Sequence, residues 1–175
     1  GATGAAGAID RITQEIIDSL EERKTLVVWL FDQSGSLGAQ RKEIQKRLGR
    51  IYEQLNHIES VGDSRFLKHH DKPLLSAVVG FGSEVSICKP QPTDQISKLQ
   101  KAIGAIENSG GEEIIFQAVY EAAEEYEKYA LGPDRRNVMF VLFTDEAGDD
   151  SEQMLDRAVE ICRKHLIRVY VVGVP

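Results

Sequence analysis

The chain of 175 residues has only two cysteines, one tryptophan and five prolines, and its longest unbroken apolar runs, Leu26 to Phe31 and Val138 to Phe143, are six residues each. Each scarcity closes off a class. Two thiols as distant as Cys88 and Cys162 define neither a zinc site nor a disulfide framework, fix no redox compartment, and read as small buried hydrophobes. Six apolar residues fall far short of the ~20 that cross a bilayer as a helix, so no membrane-spanning segment is expected. Basic residues are in deficit: 21 Lys and Arg against 28 Asp and Glu leave a formal charge of −7. A chain without a basic excess does not bind nucleic acid or anionic membrane through bulk charge. Also missing are a Gly-x-x-x-x-Gly-Lys phosphate loop, a Gly-x-Ser-x-Gly elbow and a complete Gly-x-Gly-x-x-Gly, since Gly80-Phe-Gly82 lacks its third glycine.

What is present is the composition of one globular domain, 42% apolar, long enough to bury roughly 70% of the surface exposed by its unfolded chain. A metal is not needed to hold such a core, so a metal here would serve function. Residues 1–8, Gly-Ala-Thr-Gly-Ala-Ala-Gly-Ala, are small and begin without Met; they read as a flexible linker in an excerpt or processed form of a larger protein. Apolar residues at 9, 12, 16, 17 and 20 predict an amphipathic leading helix over 9–23, and 24–175 forms the main domain.

Within that domain, Thr25–Phe31, Asn137–Thr144 and Ile167–Val174 are apolar on both alternating faces, as strands buried in a parallel sheet are. Leu74–Ser83 and Glu84–Cys88 read as two shorter strands with a glycine-marked turn between them. Helices are expected over 39–58, from an Asp94 cap to 106, over 112–130, and over 151–166 with Asp150 and Ser151 as caps. Strands alternating with amphipathic helices predict an α/β fold: a doubly wound, mostly parallel sheet with helices on both faces. The closing Val172-Gly-Val-Pro175 leaves the last strand with no helix to cover it, so either the domain continues beyond this excerpt or the leading helix takes that place.

In such sheets ligands bind beyond the carboxyl ends of the strands. The first strand runs into Asp32-Gln33-Ser34-Gly35-Ser36, the strand 137–144 runs into Asp145-Glu146, and the glycine loop 108–111 runs into Glu112 and Glu113. Alternate positions in a turn project the same way, so Asp32, Ser34 and Ser36 can face one point. Carboxylates and hydroxyls are hard oxygen ligands, suited to Mg²⁺ first and Mn²⁺ or Ca²⁺ as alternatives. Gathered carboxylates repel one another unless a cation or a proton intervenes. His69-His70-Asp71 has no third ligand at suitable spacing and reads as a surface loop.

Phe31-Asp32-Gln33-Ser34-Gly35-Ser36, Ser109-Gly110-Gly111-Glu112-Glu113 and Phe143-Thr144-Asp145, in that order, resemble the metal-ion-dependent adhesion site (MIDAS) of the von Willebrand factor type A (vWA) domain, and the resemblance spans 25–174. It implies a Rossmann-like fold and a non-enzymatic protein-interaction module, known from cell adhesion, that binds partners at the loops above the sheet. It also implies a metal set of Asp32, Ser34, Ser36, Glu112 and Asp145, the serines binding directly and the aspartates directly or through water. Glu112 stands where the family has Thr, and an alternative alignment puts Glu113 there. Two other readings stay open: a metal-dependent hydrolase or phosphotransferase with Asp32 as nucleophile, and a degenerate scaffold that holds no metal. Partner identity, compartment and oligomeric state are not encoded in any motif.

Overall fold

The computed structural model describes residues 5–60, 72–88, 91–145 and 152–173. Five strands, β1 (Thr25–Asp32), β2 (Leu74–Phe81), β3 (Val85–Ile87), β4 (Asn137–Thr144) and β5 (Arg168–Gly173), form one sheet in the order β3-β2-β1-β4-β5. β1 pairs in parallel with β2, Thr25 opposite Leu74, and with β4, Thr25 opposite Asn137, while β3 returns antiparallel to β2. The helices are α1 (Ala5–Glu22), α2 (Gly38–Ser60), α3 (Ile96–Gly104), α4 (Ile115–Tyr126) and α5 (Glu152–Lys164).

β1 is buried throughout and its side chains alternate between two cores. Val27, Trp29 and Phe31 meet Met139, Val141 and Phe143 of β4 under α1, α2 and α3. Leu26, Val28 and Leu30 meet Phe140 and Leu142 under α4 and α5. The period of two puts neighbouring residues on opposite faces, which is why a strand covered on both sides reads as a continuous apolar run. Phe31 and Phe143 stack at 5.1 Å between ring centroids. The fold class is thus the doubly wound α/β sheet that the sequence predicts.

Several boundaries differ from expectation, each for a local reason. α1 starts at Ala5, inside the stretch read as linker, because alanine is the strongest helix former. α3 is not capped by Asp94: Thr93 bridges to Ser76, and its hydroxyl accepts the Gln95 N–H at 3.1 Å. The helix expected from 112 begins at Ile115, because the Ile114 N–H is drawn to the Gly82 carbonyl at 3.0 Å. The caps proposed at Asp150 and Ser151, the His69-His70-Asp71 cluster and Glu146 lie outside the described residues. Among the described residues no helix is long and apolar enough to cross a membrane.

The largest correction concerns β5. Among the described residues it lies at the edge of the sheet, and Val171 is 63% exposed, where a strand buried on both faces was expected. Coverage is one-sided: Val172 and Tyr170 pack with Ile9, Ile12, Ile16 and Leu20 of α1, and the Tyr170 hydroxyl donates to Glu15 at 3.2 Å. α1 therefore covers one face of β5. Its far end is tied down by a Ser19–Thr25 hydroxyl pair at 2.6 Å and by Asn137 Nδ2 donating to Ser19 Oγ at 3.0 Å. Ile16, fully buried, is the anchor. Ile16→Ala is expected to lower the unfolding free energy by about 2–5 kcal/mol in urea titration, within one cooperative transition; a much smaller loss would mean that α1 is an appendage.

Candidate metal centre

The site is built where β1 ends. Asp32 is the last residue of that strand, 1% exposed, and both of its carboxylate oxygens are held. Oδ1 accepts the Ser34 N–H at 2.8 Å, the Asx-type turn that bends the chain out of the sheet, and Oδ2 accepts the Thr144 hydroxyl from the end of β4 at 3.0 Å. Register explains the second bond: β4 pairs alongside β1 up to Phe31–Phe143, so Thr144 arrives level with Asp32. One residue on, exposed Asp145 leaves the sheet and its Oδ2 accepts the Ser36 hydroxyl at 3.1 Å. Ser34 and Ser36 are themselves joined at 2.9 Å, so their two hydroxyls form a chain ending on Asp145.

The third carboxylate comes from the glycine loop, and it is Glu113. Among the described residues, Asp32, Glu113 and Asp145 each offer an oxygen within 4.8 Å of the others. Glu112, the residue placed in the metal set from the sequence, is exposed and outside this group, while Glu113 is buried. The next residue, Ile114, is tied by its N–H to the Gly82 carbonyl at 3.0 Å, which holds the Glu113 segment against the end of β2. Of the five sequence-assigned ligands the structure therefore gathers Asp32, Ser34, Ser36 and Asp145, and substitutes Glu113 for Glu112.

Two residues overlooked in the sequence organise the centre. One is Thr144, already described. The other is Arg41, buried in the first turn of α2, whose Nη1 donates to the carbonyls of Asp32 at 2.8 Å and Ser34 at 3.0 Å. Its Nη2 donates to Asn108 Oδ1, clamping the Asp-x-Ser-x-Ser turn to the loop that carries Glu113. Ser109 N–H reinforces the join by donating to Gln33 O at 2.7 Å. Burial lowers the Arg41 pKa from its ordinary value, and the neighbouring Asp32 charge works against that shift. The overlooked signal is positional: a cation in the first turn opposes the helix dipole and calls for another reason to be there. Close approach also explains Gly82, where a Cβ would come within 3.1 Å of Ser109 Oγ.

The donor set fits a hard divalent cation. Ligands on opposite sides of an ion stand about 4.2 Å apart around Mg²⁺ and about 4.8 Å around Ca²⁺, the scale of the carboxylate spacing here. Three carboxylates so close repel one another, a repulsion that a bound cation would relieve.

Residues 27–175 match the family model of the von Willebrand factor type A domain. Among solved structures, the chain is similar to proximal thread matrix protein 1 from the mussel byssus with a zinc-occupied MIDAS motif, with a TM-score of 0.60 and 19% identity. That match covers 86% of this chain and 38% of the mussel protein. A second similar structure is the conserved hypothetical protein BatB from Bacteroides thetaiotaomicron, with a TM-score of 0.58 and 16% identity, covering 85% of this chain and 65% of that one. At these identities the likeness concerns the fold. No curated protein gives a significant sequence match.

Arg41→Ala leaves two backbone carbonyls and the Asn108 side chain without their charged donor. It is expected to lower stability by about 3 kcal/mol in urea titration. Arg41→Lys should restore little of this, since a lysine ammonium cannot span the fork of acceptors; full recovery with lysine would reduce the clamp to a simple charge effect.

Proposed function

Because the chain belongs to the von Willebrand factor type A domain family, whose members are protein-interaction modules, we propose that it is a non-enzymatic binding domain engaging a protein partner at the loops above the carboxyl edge of the sheet. In this reading a divalent cation organises the binding surface. Asp32, Ser34, Ser36, Glu113 and Asp145 would hold it, and the cation would supply positive charge and an oxygen-seeking coordination site at the rim of the sheet. The observation that carries the proposal is the convergence of carboxylates from β1, β4 and the glycine loop within 4.8 Å. The zinc-occupied site of the similar mussel protein supports it.

The chain's own residues would divide the work by their burial. Asp32 is fixed by Ser34 and Thr144 and serves as an immobile anchor at the bottom of the site. Ser36 and Asp145 are exposed and linked to each other, so they can adjust as a cation enters. Glu113 brings a carboxylate where the family pattern has a hydroxyl. An extra negative charge strengthens attraction for the cation and weakens it for an acidic partner residue. The proposed partner surface at this edge is therefore neutral or basic.

A cation bound only to the folded chain raises stability by about 2.7 kcal/mol when present at about 100 times its Kd. For a domain of this size that is about 5–10 °C in the unfolding midpoint. The expected result is such a rise with millimolar Mg²⁺, Mn²⁺, Ca²⁺ or Zn²⁺ over a chelated sample, abolished by Asp32→Ala. Asp145→Asn should remove the rise and be neutral or stabilising under chelation, because it relieves repulsion among the carboxylates. An unchanged midpoint in all four metals would leave the domain a metal-free scaffold.

A further inference from the structure

Next to the carboxylate centre, between the start of α2 and the end of α3, lies a cavity of about 450 Å³. Its wall includes Arg41 and Lys42 of α2, Ile103 of α3, and Ile106 and Asn108 of the loop that follows. The size is that of a small-molecule site, for which roughly 300–1,000 Å³ is usual. Among the described residues the wall holds two cations and no carboxylate, in a chain of net charge −7. The acids beside these residues in sequence, Glu43 and Glu107, are exposed and lie outside the wall, and Glu43 is paired with Arg47 at 3.1 Å.

Arg41 defines what the cavity can hold. It is only 6% exposed, yet no carboxylate among the described residues lies within ion-pair distance of it. A buried charge without a counter-charge is costly. The clamp also uses only part of its hydrogen-bonding capacity, since a guanidinium carries five N–H donors. Nη1 donates to the Asp32 and Ser34 carbonyls and Nη2 donates to Asn108 Oδ1, which leaves the Nε–H and one Nη2–H without an acceptor among the described residues. A Cβ at Gly38, which lines the same cavity, would stand 3.8 Å from Nη2 and 3.9 Å from Asn108 Oδ1, so this end of the clamp borders the cavity. Around it, Lys42 and Asn108 are exposed and pair with no carboxylate among the described residues, and Ile103 and Ile106 supply an apolar side.

We propose that this cavity binds a small carboxylic acid with an aliphatic stem, its carboxylate held by Arg41, Lys42 and the Asn108 amide and its stem lying against Ile103 and Ile106. A planar carboxylate matches the guanidinium fork and brings the counter-charge that the buried cation lacks. The site shares Arg41 with the carboxylate centre, but it takes an anion and does not require a bound metal.

The test is NMR titration of the nitrogen-15-labelled chain with hexanoate at constant ionic strength, with neutral hexanamide as control. Hexanoate is expected to shift the Arg41 Nε–H and the Asn108 side-chain amide saturably, with a Kd in the millimolar range or tighter. Hexanamide should bind at least about tenfold more weakly, because the charge-assisted hydrogen bonds are lost. Lys42→Glu, at an exposed position, should weaken hexanoate about fivefold by reversing a charge at the wall. Lys46→Glu, the same reversal one turn further along α2 and outside the wall, should leave the affinity unchanged, and both variants should keep the circular dichroism spectrum. The titration should look the same in chelator and in Mg²⁺, which separates this site from the metal reading. Equal binding of hexanoate and hexanamide, a response that does not saturate or does not reach Arg41, or equal loss in both lysine variants overturns the proposal. So does a shift seen only with Mg²⁺, which would place the carboxylate on the cation, or tighter binding of a blocked Gly-Glu-Gly tripeptide, which would give the cavity to a partner protein's side chain.

Discussion

The pairing of β1 on both edges, with cores on both faces, is the constraint from which the rest follows. A strand enclosed in this way has no water along its length, so its side chains must be apolar until it leaves the sheet. Its polar chemistry is pushed to the end, and Asp32 sits there, almost fully buried. A carboxylate in that position is tolerable only with hydrogen bonds, and the parallel neighbour provides one because Thr144 ends β4 at the same level. The site is a consequence of sheet register before it is anything else.

Burial of the charged end also explains the machinery around it. The turn after Asp32 exposes carbonyls that no strand can satisfy, and Arg41 satisfies two of them while reaching Asn108 in a loop nearly seventy residues away in sequence. That clamp fixes the distance between the Asp-x-Ser-x-Ser turn and the segment bearing Glu113. Glu113 in turn precedes Ile114, whose N–H is tied to the Gly82 carbonyl just ahead of α4. The base of the centre is buried and hydrogen-bonded on both Asp32 oxygens, whereas its rim at Ser36 and Asp145 is exposed to solvent.

The sequence alone determined the fold class, the central place of β1, the amphipathic leading helix, and the candidate site at Asp32, Ser34, Ser36 and Asp145. These are legible because they are local: hydrophobic period sets element type, and a strand end followed by alternating oxygen side chains sets the turn. Tertiary structure decided what depends on distant backbone. It turned Glu113 inward and left Glu112 exposed, recruited Thr144 through register, and placed Arg41 between two loops. Adjacent glutamates are identical in sequence terms. Only the positions of neighbouring chains distinguish them.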